Sequence, residues 1–323
     1  MATLSGVSLV DRVKSIAPDG SELVIAELLN ESNPIIEDIP FYESNQPTSH
    51  IVGLQSSLPT ATYVSHNEGS LPSKGTIDEV TEALGMLESW GEVGQSIADL
   101  NGNTTEFRMQ KSMTHFEAMG QEFAGTLIYG DYAQNPKEFN GFAKRTASPG
   151  DHVIDVGASG SDNTSIFLAA WGQGGIYGTY PKGSKAGIIH DNIGLETKTD
   201  SAGKLQRVYR DHWSWNHGLA LEDPRCLIRA GSIDVSAILA DTAGTSIKLL
   251  EIMLKMLHKL PNRPSLKPVF YVPAVVFFVL DAQAMNRSNV YLTAGMEEGM
   301  AKTRFRGIQI RRVDQILETE TKV

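Results

Sequence analysis

The chain has 323 residues, of which 41% are apolar, and it carries a formal net charge of −10. This length can enclose a sizeable core in one large domain or two small ones, and the apolar content excludes a largely disordered protein. Because Lys and Arg number 28 against 38 Asp and Glu, the composition excludes the cation-rich surface that tight or sequence-reading DNA binding requires.

The single cysteine, Cys226, excludes an internal disulfide. We expect Cys226 to be a small buried apolar side chain and the chain to fold in a reducing cytoplasm. Met1 is not followed by a basic region and an apolar run, so we expect no secretory signal. The most apolar stretch, residues 269–280, contains Pro273 and is shorter than the roughly 20 residues of a membrane span. These features predict a soluble protein without a membrane partner.

Residues 1–45 predict an extended arm, because prolines and a glycine separate short apolar groups such as Leu28-Leu29 and Ile35-Ile36. We expect such an arm to pack on another surface, often that of a neighbouring copy. A hairpin follows, with predicted strands at His50–Gln55 and Thr60–His66. An isolated hairpin is marginally stable in water, so this one must also lie on a larger surface.

Residues 68–100 form an acidic segment. Within it, the apolar positions of Val80–Ile97 fit neither the helical nor the strand period well, and three glycines interrupt them. A strand or a helix is compatible with this pattern, and we favour a strand.

The clearest element is a helix over residues 104–129. Asn103 can cap it, Glu106 follows three residues later, and Gly130 ends it. Its 26 residues correspond to roughly 39 Å at 1.5 Å per residue, so we expect a sheet or neighbouring subunits to cover it. Apolar side chains at spacings of three and four predict one continuous stripe. The stripe consists of Met109, Met113, Phe116, Phe123 and Leu127, with Gly120 between the third and fourth.

A turn at residues 135–138 precedes an apolar anchor formed by Phe139 and Phe142. The chain then predicts mostly strands up to residue 230, followed by two helices on either side of a buried strand. The predicted strands are Ile166–Trp171, Ile176–Tyr180, Lys204–Trp215, Cys226–Ala230 and Val269–Val272. The predicted helices are Thr245–Leu260 and Pro273–Met285, the second opened by its proline.

Two glycine-rich segments approach known catalytic or phosphate-binding motifs without matching them. Gly157–Ser161 lacks the final glycine of a nucleophile elbow. In Gly178–Lys185, the residues Ser184 and Lys185 stand in the reverse order of a phosphate-binding loop, and Pro181 removes an amide donor. Both segments therefore predict structural turns.

His212 and His217 are five residues apart, which places them on opposite faces of a strand and outside the spacing of a helical metal pair. His190-Asp191 and Glu222-Asp223 are expected in turns, where such residues cap and form hydrogen bonds. The sequence therefore predicts no catalytic residue, no metal site and no cofactor.

The order of these parts resembles the major capsid proteins of tailed bacteriophages, which share the Hong Kong 97-type shell fold. The amino-acid sequences of four segments resemble those of the short-tailed-phage branch of that family, and the similarity extends from about residue 45 to 230. The four segments are Glu82–Glu88, Ile97–Asn103, Gly160–Ile166 and Tyr180–Gly187.

The resemblance implies an α+β capsid fold in four parts. These are an N-terminal arm at 1–45, an extended loop hairpin at 46–75 that lies over a neighbouring subunit, a peripheral domain at 76–230 with the spine helix 104–129, and an axial domain with C-terminal strands at 231–323. In many relatives the closing strand of the peripheral domain comes last. Its candidate here, Gly218–Ala230, precedes the two late helices, so a rearranged chain order is implied.

The resemblance further implies a non-enzymatic protein that self-assembles into pentamers and hexamers and forms the icosahedral head enclosing a phage genome. The implied partners are other copies of the chain and decoration or cement, scaffolding and portal proteins, while DNA is enclosed without sequence-specific binding. The implied location is the virion, after assembly in the host cytoplasm. Two alternatives stay open: a cargo-enclosing compartment of the same fold, and a hydrolase that uses the glycine-rich segment 157–187.

Head-to-tail contacts between copies need unlike surfaces on one chain. The acidic segment and a basic strip near the C-terminus carry opposite charges, and we expect them to meet across a subunit boundary. The candidate interface residues are Glu82, Glu88, Glu92, Arg304, Arg306, Arg311 and Arg312.

Overall fold

A computed structural model describes residues 33–102, 104–158, 160–199, 203–241, 248–286, 292–297 and 300–323. Within these ranges, thirteen strands form one connected sheet that is flanked by helices, which confirms the α+β class. The α-helices are α1 (Ile35–Asp38), α2 (Gln95–Ala98), α3 (Thr104–Tyr129), α4 (Phe142–Arg145), α5 (Val235–Ala240), α6 (Leu249–Lys259) and α7 (Ala274–Asn286). The first strands are β1 (Phe41–Glu43), β2 (Ser49–Ser57), β3 (Thr76–Gly94), β4 (Val153–Asp155), β5 (Asn163–Trp171), β6 (Ile176–Tyr180) and β7 (Ile189–Thr199). The remaining strands are β8 (Leu205–Leu221), β9 (Leu227–Asp234), β10 (Lys267–Val272), β11 (Leu292–Glu297), β12 (Met300–Phe305) and β13 (Ile308–Arg312).

The strand β5 lies at the centre of the molecule, and all nine of its residues are buried. It pairs antiparallel with β9 and with β10. Phe167 and Trp171 belong to one hydrophobic core, whereas Ile166 and Leu168 belong to a second core. Because successive side chains of a strand point to opposite faces, β5 separates the two cores and is covered on both sides.

The first core lies under α3 and contains the second half of that helix, the predicted anchor Phe139 and Phe142, and two tryptophans of β8. The second core contains the inner faces of α5, α6 and α7 together with side chains of β12 and β13. The predicted aromatic anchor is therefore confirmed. Cys226 is also buried, as predicted, and burial raises the pKa of its thiol to about 11.

The helix α3 has the predicted bounds, Thr104–Tyr129. Its predicted cap, Asn103, lies outside the described residues. Gly130 ends the helix: its amide donates to the carbonyl of Thr126 at 2.8 Å. A Cβ atom at Gly130 would lie only 2.5 Å from the carbonyl oxygen of Phe139, so only glycine allows the following loop to pack this closely.

The hairpin is present, but its predicted second strand, Thr60–His66, is wrong. The strand β2 instead pairs antiparallel with the first part of β3, from Thr76 to Ala83. Residues 58–75 form the loop between the two strands and contain no strand. The β-propensity of Thr60–His66 led to the wrong strand because such propensity depends on neighbours to pack against, and Tyr63 is fully exposed.

The strand β3 serves two parts of the molecule. Its first part pairs with β2 in the projecting hairpin, and its second part, Leu84–Gly94, pairs antiparallel with β8 in the body. The prediction of a strand across Val80–Ile97 is confirmed as far as Gly94, where the short helix α2 begins. One continuous strand thus joins the hairpin to the body.

A buried ion pair lies where β3 leaves the body. The guanidinium of Arg145 on α4 donates to both carboxylate oxygens of Glu82, at 2.5 and 2.7 Å. It also donates to the carbonyl oxygens of Asn140 and Leu219, each at 3.0 Å. Only 11% of the Arg145 side chain and 4% of the Glu82 side chain are exposed, so this bidentate pair ties α4, β3 and β8 together away from water.

The remaining predicted strands are present, but two are longer than predicted: β8 continues from Trp215 to Leu221, and β9 continues from Ala230 to Asp234. The helix after Pro273 is confirmed as α7. The helix predicted to begin at Thr245 is α6, which begins at Leu249; residues 242–247 lie outside the description. The predicted turn at His190-Asp191 is wrong, because these residues belong to β7, which pairs with β8. A polar strand of this kind is easily taken for a loop, since no face of it is covered by a core.

The predicted closing strand Gly218–Ala230 is not one strand. The strand β8 ends at Leu221, a 3-10 turn occupies Pro224–Cys226, and β9 begins at Leu227. The predicted domain boundaries and the rearranged order stay predictions, and β9 runs across the boundary at 230. Among the described helices, none is long and apolar enough to span a bilayer.

Replacing Arg145 by alanine is expected to lower the free energy of unfolding by about 3–5 kcal/mol, because the Glu82 carboxylate would remain buried without its cation. Urea unfolding of the unassembled chain, followed by tryptophan fluorescence, measures this change. The neighbouring Lys144→Ala is the matched control, since Lys144 pairs with Asp131 at the surface and its loss should change stability little. Equal effects of both substitutions would contradict the structural role of the Arg145–Glu82 pair.

Candidate functional site

The predicted stripe of α3 divides into two halves. Phe123 and Leu127 are buried in the first core, as a helix that packs on its own sheet requires. Met109, Met113 and Phe116 are instead 61%, 58% and 39% exposed. The chain therefore covers only the second half of the stripe, and the first half presents apolar side chains at the surface.

A second apolar surface lies on the opposite face of the sheet. On β3, Ser89 and Gly91 face α3, because both approach His115 of that helix. The alternate positions Met86 and Trp90 therefore face away from α3, and they are 66% and 52% exposed. The body thus has uncovered apolar side chains on α3 and on the face of β3 that is turned away from α3.

The projecting hairpin and its loop have a third set of exposed apolar side chains. The β2–β3 hairpin is two-stranded, and the loop of residues 58–75 extends beyond it. The exposed side chains are Leu58, Tyr63, Leu71 and Ile77, each more than 70% exposed. The chain therefore leaves these four side chains uncovered.

The predicted acidic interface residues have partners within the chain. Glu82 is held by Arg145, as described above. Glu92 accepts hydrogen bonds from Lys198 and Arg210, and although burial raises the pKa of Glu92, these bonds outweigh it and hold that pKa below its usual value. Glu88 lies 3.7 Å from the ring of His212.

The predicted basic residues lie on the last two strands and their turn. Arg311 pairs with Glu37 at 3.1 Å and Asp38 at 2.8 Å, which attaches β13 to α1. Arg312 pairs with Asp314 at 2.6 Å. Arg304 and Arg306 are exposed near the turn between β12 and β13. The contact between the acidic and the basic set across a subunit boundary stays a prediction. Glu82, Glu92 and Arg311 already have ion-pair partners within the chain, so they are less available for such a contact.

The histidines and tryptophans of β8 occupy two separate environments. Trp213 is stacked between His115 of α3 and His190 of β7, with ring centroids 4.3 and 5.1 Å apart. His212, on the opposite face, stacks on Trp90 at 4.1 Å. The predicted aromatic packing of this strand is confirmed, and His212 and His217 do not converge on one site.

His217 lies inside an aromatic cage. Its ring is 4.5 Å from Phe123, 4.8 Å from Trp215 and 5.4 Å from Phe139, measured between centroids. Neither ring nitrogen of His217 makes a hydrogen bond of normal geometry to any described residue. Burial lowers the pKa of His217 to about 3, so the ring is neutral at pH 7.

The two glycine-rich segments are turns, as predicted. Gly157 follows β4, and its amide donates to the side chain of Asp155 at 2.9 Å; residue 159 lies outside the description. In the second segment, the amide of Gly183 donates to the carboxylate of Glu43 at 2.7 Å. The carboxylate of Glu43 thus occupies the place where a phosphate-binding loop would hold the phosphate.

The pair Glu222-Asp223 lies in the turn after β8, as predicted. Asp223 caps the 3-10 turn and is held by Arg225 and Arg263 at 2.9 and 2.7 Å. Burial raises the pKa of Asp223, but the hydrogen bonds and positive charge of Arg225 lower it by a larger amount. The net result is a pKa below the usual value. This arrangement is a structural cap.

Sequence reasoning missed Arg145, the cage around His217 and the exposure of Tyr63. Arg145 gives no signal in the sequence, because its partner Glu82 lies far along the chain. Tyr63 belongs to the segment Thr60–His66, whose composition predicts a strand. The break in the α3 stripe has no signal either, because the six stripe positions follow one unbroken helical period.

A sequence profile described as "Major capsid protein GP7" matches residues 17–323. This chain belongs to that family. The major capsid protein is the structural protein of a phage's icosahedral head, so the predicted family and its shell-forming role are confirmed. The fold and the family together indicate a structural role in the virion.

This chain is also similar to solved structures. A chain of the bacteriophage Epsilon15 structure, derived from cryo-electron microscopy and modeling, is 28% identical, covers 100% of this chain and 99% of its own length, and gives a TM-score of 0.79. The bacteriophage JBD30 capsid shares the fold at 12% identity, over 90% of this chain and 93% of that chain, with a TM-score of 0.50. A search of curated proteins gives no significant match to the sequence. The predicted α+β capsid fold is confirmed.

We expect acid to destabilise the unassembled capsid protein through His217. The folded pKa of about 3 lies below the ordinary value of 6.5, so between these pH values only the unfolded chain gains a proton at this residue. The contribution of His217 to the free energy of unfolding is therefore fully present above pH 6.5. It falls by about 2 kcal/mol between pH 6.5 and pH 5.

The variant His217→Phe should remove this part of the acid dependence, as measured by urea unfolding at both pH values. His66→Phe, which replaces an exposed histidine of the loop, is the control and should keep it. An unchanged acid dependence in His217→Phe would contradict the prediction.

Proposed function

We propose that the chain assembles into pentamers and hexamers that close into the icosahedral head of a tailed phage and enclose its genome. The chain contributes surfaces to this shell and catalyses no reaction. The observation that supports this proposal is the set of apolar side chains that the folded chain leaves uncovered on α3, on β3 and on the extended loop. A second copy of the same chain supplies the matching surfaces.

In the proposed arrangement, the extended loop of one copy lies over the body of the next. A two-stranded hairpin is marginally stable alone, so β2 and β3 gain stability when they rest on a larger surface. The exposed half of the α3 stripe, with Met109, Met113 and Phe116, is a suitable surface because it is apolar and belongs to a rigid helix. The loop and the stripe are unlike surfaces on one chain, and unlike surfaces produce head-to-tail contacts that close into rings.

The net charge of −10 suits a shell that encloses DNA without gripping it, because few cations are available to displace the counterions of the phosphates. We propose that DNA is enclosed without sequence-specific contacts. Scaffolding, portal and decoration proteins are the further proposed partners, and the host cytoplasm is the proposed place of assembly. The single buried cysteine agrees with folding in a reducing compartment.

The two alternatives have less support. A cargo compartment would use the same contacts, but the match to the capsid protein family favours the phage head. The hydrolase hypothesis placed its site in residues 157–187, yet this segment consists of the buried strand β5, the strand β6 and structural turns. Its Gly183 amide already binds a carboxylate of the chain itself.

Negative-stain electron microscopy of the purified chain tests the proposed assembly, and closed particles are the expected result. Met113→Glu should reduce the yield of particles by at least about tenfold, because association would bury an unpaired carboxylate. The fold should survive, since 58% of Met113 is exposed in the single chain. Circular dichroism and urea unfolding check the fold.

Ala118→Glu is the matched control, because position 118 is also exposed but lies half a turn around α3 from the stripe. It should leave particle yield nearly unchanged. Small oligomers from the unmodified chain would contradict the assembly proposal, and normal particles from Met113→Glu would contradict the role of the stripe.

A further inference from the structure

The base of the projecting hairpin is attached to the body through the ring of His50 on β2. The Nε2 atom of His50 lies 3.1 Å from the hydroxyl group of Tyr177 on β6. That hydroxyl donates to the carboxylate of Glu222 at 2.7 Å, and burial raises the pKa of Tyr177, so it keeps its proton. Because the hydroxyl has only one proton, it must accept from His50, and the neutral ring therefore carries its own proton on Nε2.

The other ring nitrogen of His50 holds the turn that precedes β2. The backbone amide of Asn45 donates to Nδ1 of His50 at 3.3 Å. The side chain of Asn45 in turn accepts from the amide of Ile51 at 2.9 Å and donates to the carbonyl oxygen of Ile51 at 2.8 Å. One neutral imidazole ring therefore joins β6, the turn at Asn45 and the beginning of β2.

The two strands of the hairpin are held to the body in different ways. His50 lies directly opposite Glu82 in the pairing of β2 with β3. On β3, the buried ion pair of Glu82 with Arg145 fixes the strand. On β2, His50 makes the polar contact with Tyr177, and Val52 adds a small apolar contact with the same side chain. The attachment of β2 is therefore the one that a single proton can change.

The strand β2 has space to move if this attachment is lost. A groove of about 1070 Å³ lies between residues 50–56 of the hairpin and the neighbouring turns of the body. The groove is open to solvent, so protons reach it freely. Residues 53 and 55–57 of β2 are exposed in the single chain, and the body therefore does not hold this part of the strand in place.

The charged groups around His50 belong to several elements. Glu82 lies opposite on β3 with Arg145 beyond it, and Glu222 lies behind Tyr177. Burial lowers the pKa of His50 below its usual value, and the negative charges of Glu222 and Glu82 only partly offset this effect. The other charged or titratable groups that line the groove are Asp78, His152, Asp223, Arg225 and Arg263.

We propose that His50 is a proton-sensitive latch that fixes β2 to the body at neutral pH and releases it in acid. A proton added to Nδ1 would face the amide of Asn45, which is itself a donor, so this bond is lost and the turn is freed. The closed latch binds a proton less readily than a free histidine, whose pKa is 6.5. The latch is therefore fully closed above pH 6.5 and opens as the pH falls below that value.

Hydrogen–deuterium exchange of the unassembled full chain at pH 7.5 and pH 5.5 tests the latch without requiring assembly. Peptides that cover residues 45–53 report on it, after correction for the intrinsic effect of pH on exchange. Their protection should fall by up to about tenfold at pH 5.5, because a free histidine is then about ten times more often protonated than neutral. No fall in the unmodified chain would overturn the latch.

His50→Gln is the matched variant, because glutamine offers a donor and an acceptor but does not titrate. The ratio of protection at the two pH values, measured within each chain, should lose most of its change in this variant. The acid effect of His217 is common to both chains, so the difference between them reports His50 alone. His152→Gln replaces another histidine of the same groove and should keep the full change. Equal ratios in His50→Gln and the unmodified chain would overturn the proposal.

Tyr177→Phe tests the attachment at neutral pH. It removes the hydroxyl group that accepts from His50, so protection of the same peptides at pH 7.5 should fall by about two- to tenfold, as expected for one lost hydrogen bond. Circular dichroism checks that the fold is retained. Protection equal to that of the unmodified chain would contradict the role of Tyr177 as the anchor of the latch.

Discussion

The central and the outer strands of the one sheet are buried to different extents, and the rest of the structure depends on this difference. At the centre, β5 is buried on both faces between two cores, so this part of the sheet needs no further partner. At the other end, β2 and the first part of β3 form a two-stranded hairpin. Val52 near its base is buried against Tyr177 and Ala220, whereas Ile77 near its far end is 71% exposed. The hydrophobic effect stabilises the first region within one chain, whereas the chain leaves the far end of the hairpin uncovered.

The strand β3 connects these regions, and its junction is the most strongly fixed point between them. Glu82 and Arg145 form a bidentate pair there, and Arg145 also binds the carbonyl of Leu219 on β8. Removing either partner would leave a buried charge, so the pair fixes the direction in which the hairpin leaves the body.

Charged and apolar side chains have different roles in this structure. Most of the acidic and basic residues first considered for an interface form pairs within the chain, such as Glu92 with Arg210 and Arg311 with Asp38. Such pairs join neighbouring strands and attach the end of the arm to β13. Among the described residues, the first half of the α3 stripe and the tip of the extended loop present apolar side chains that the chain itself leaves uncovered.

The sequence by itself determined the local elements whose signals are local. Helical spacing, a capping glycine and a proline placed α3 and α7, and apolar runs placed β5, β6 and β10. The order of these elements and four short segments pointed to the capsid family. Only the tertiary structure decided that β2 pairs with β3 beyond an 18-residue loop, that Met113 is exposed while Phe123 is buried, and that His217 is buried among aromatic rings. Pairing, burial and hydrogen bonding depend on residues far apart in the chain, and no local period records which distant side chain will fill a given space.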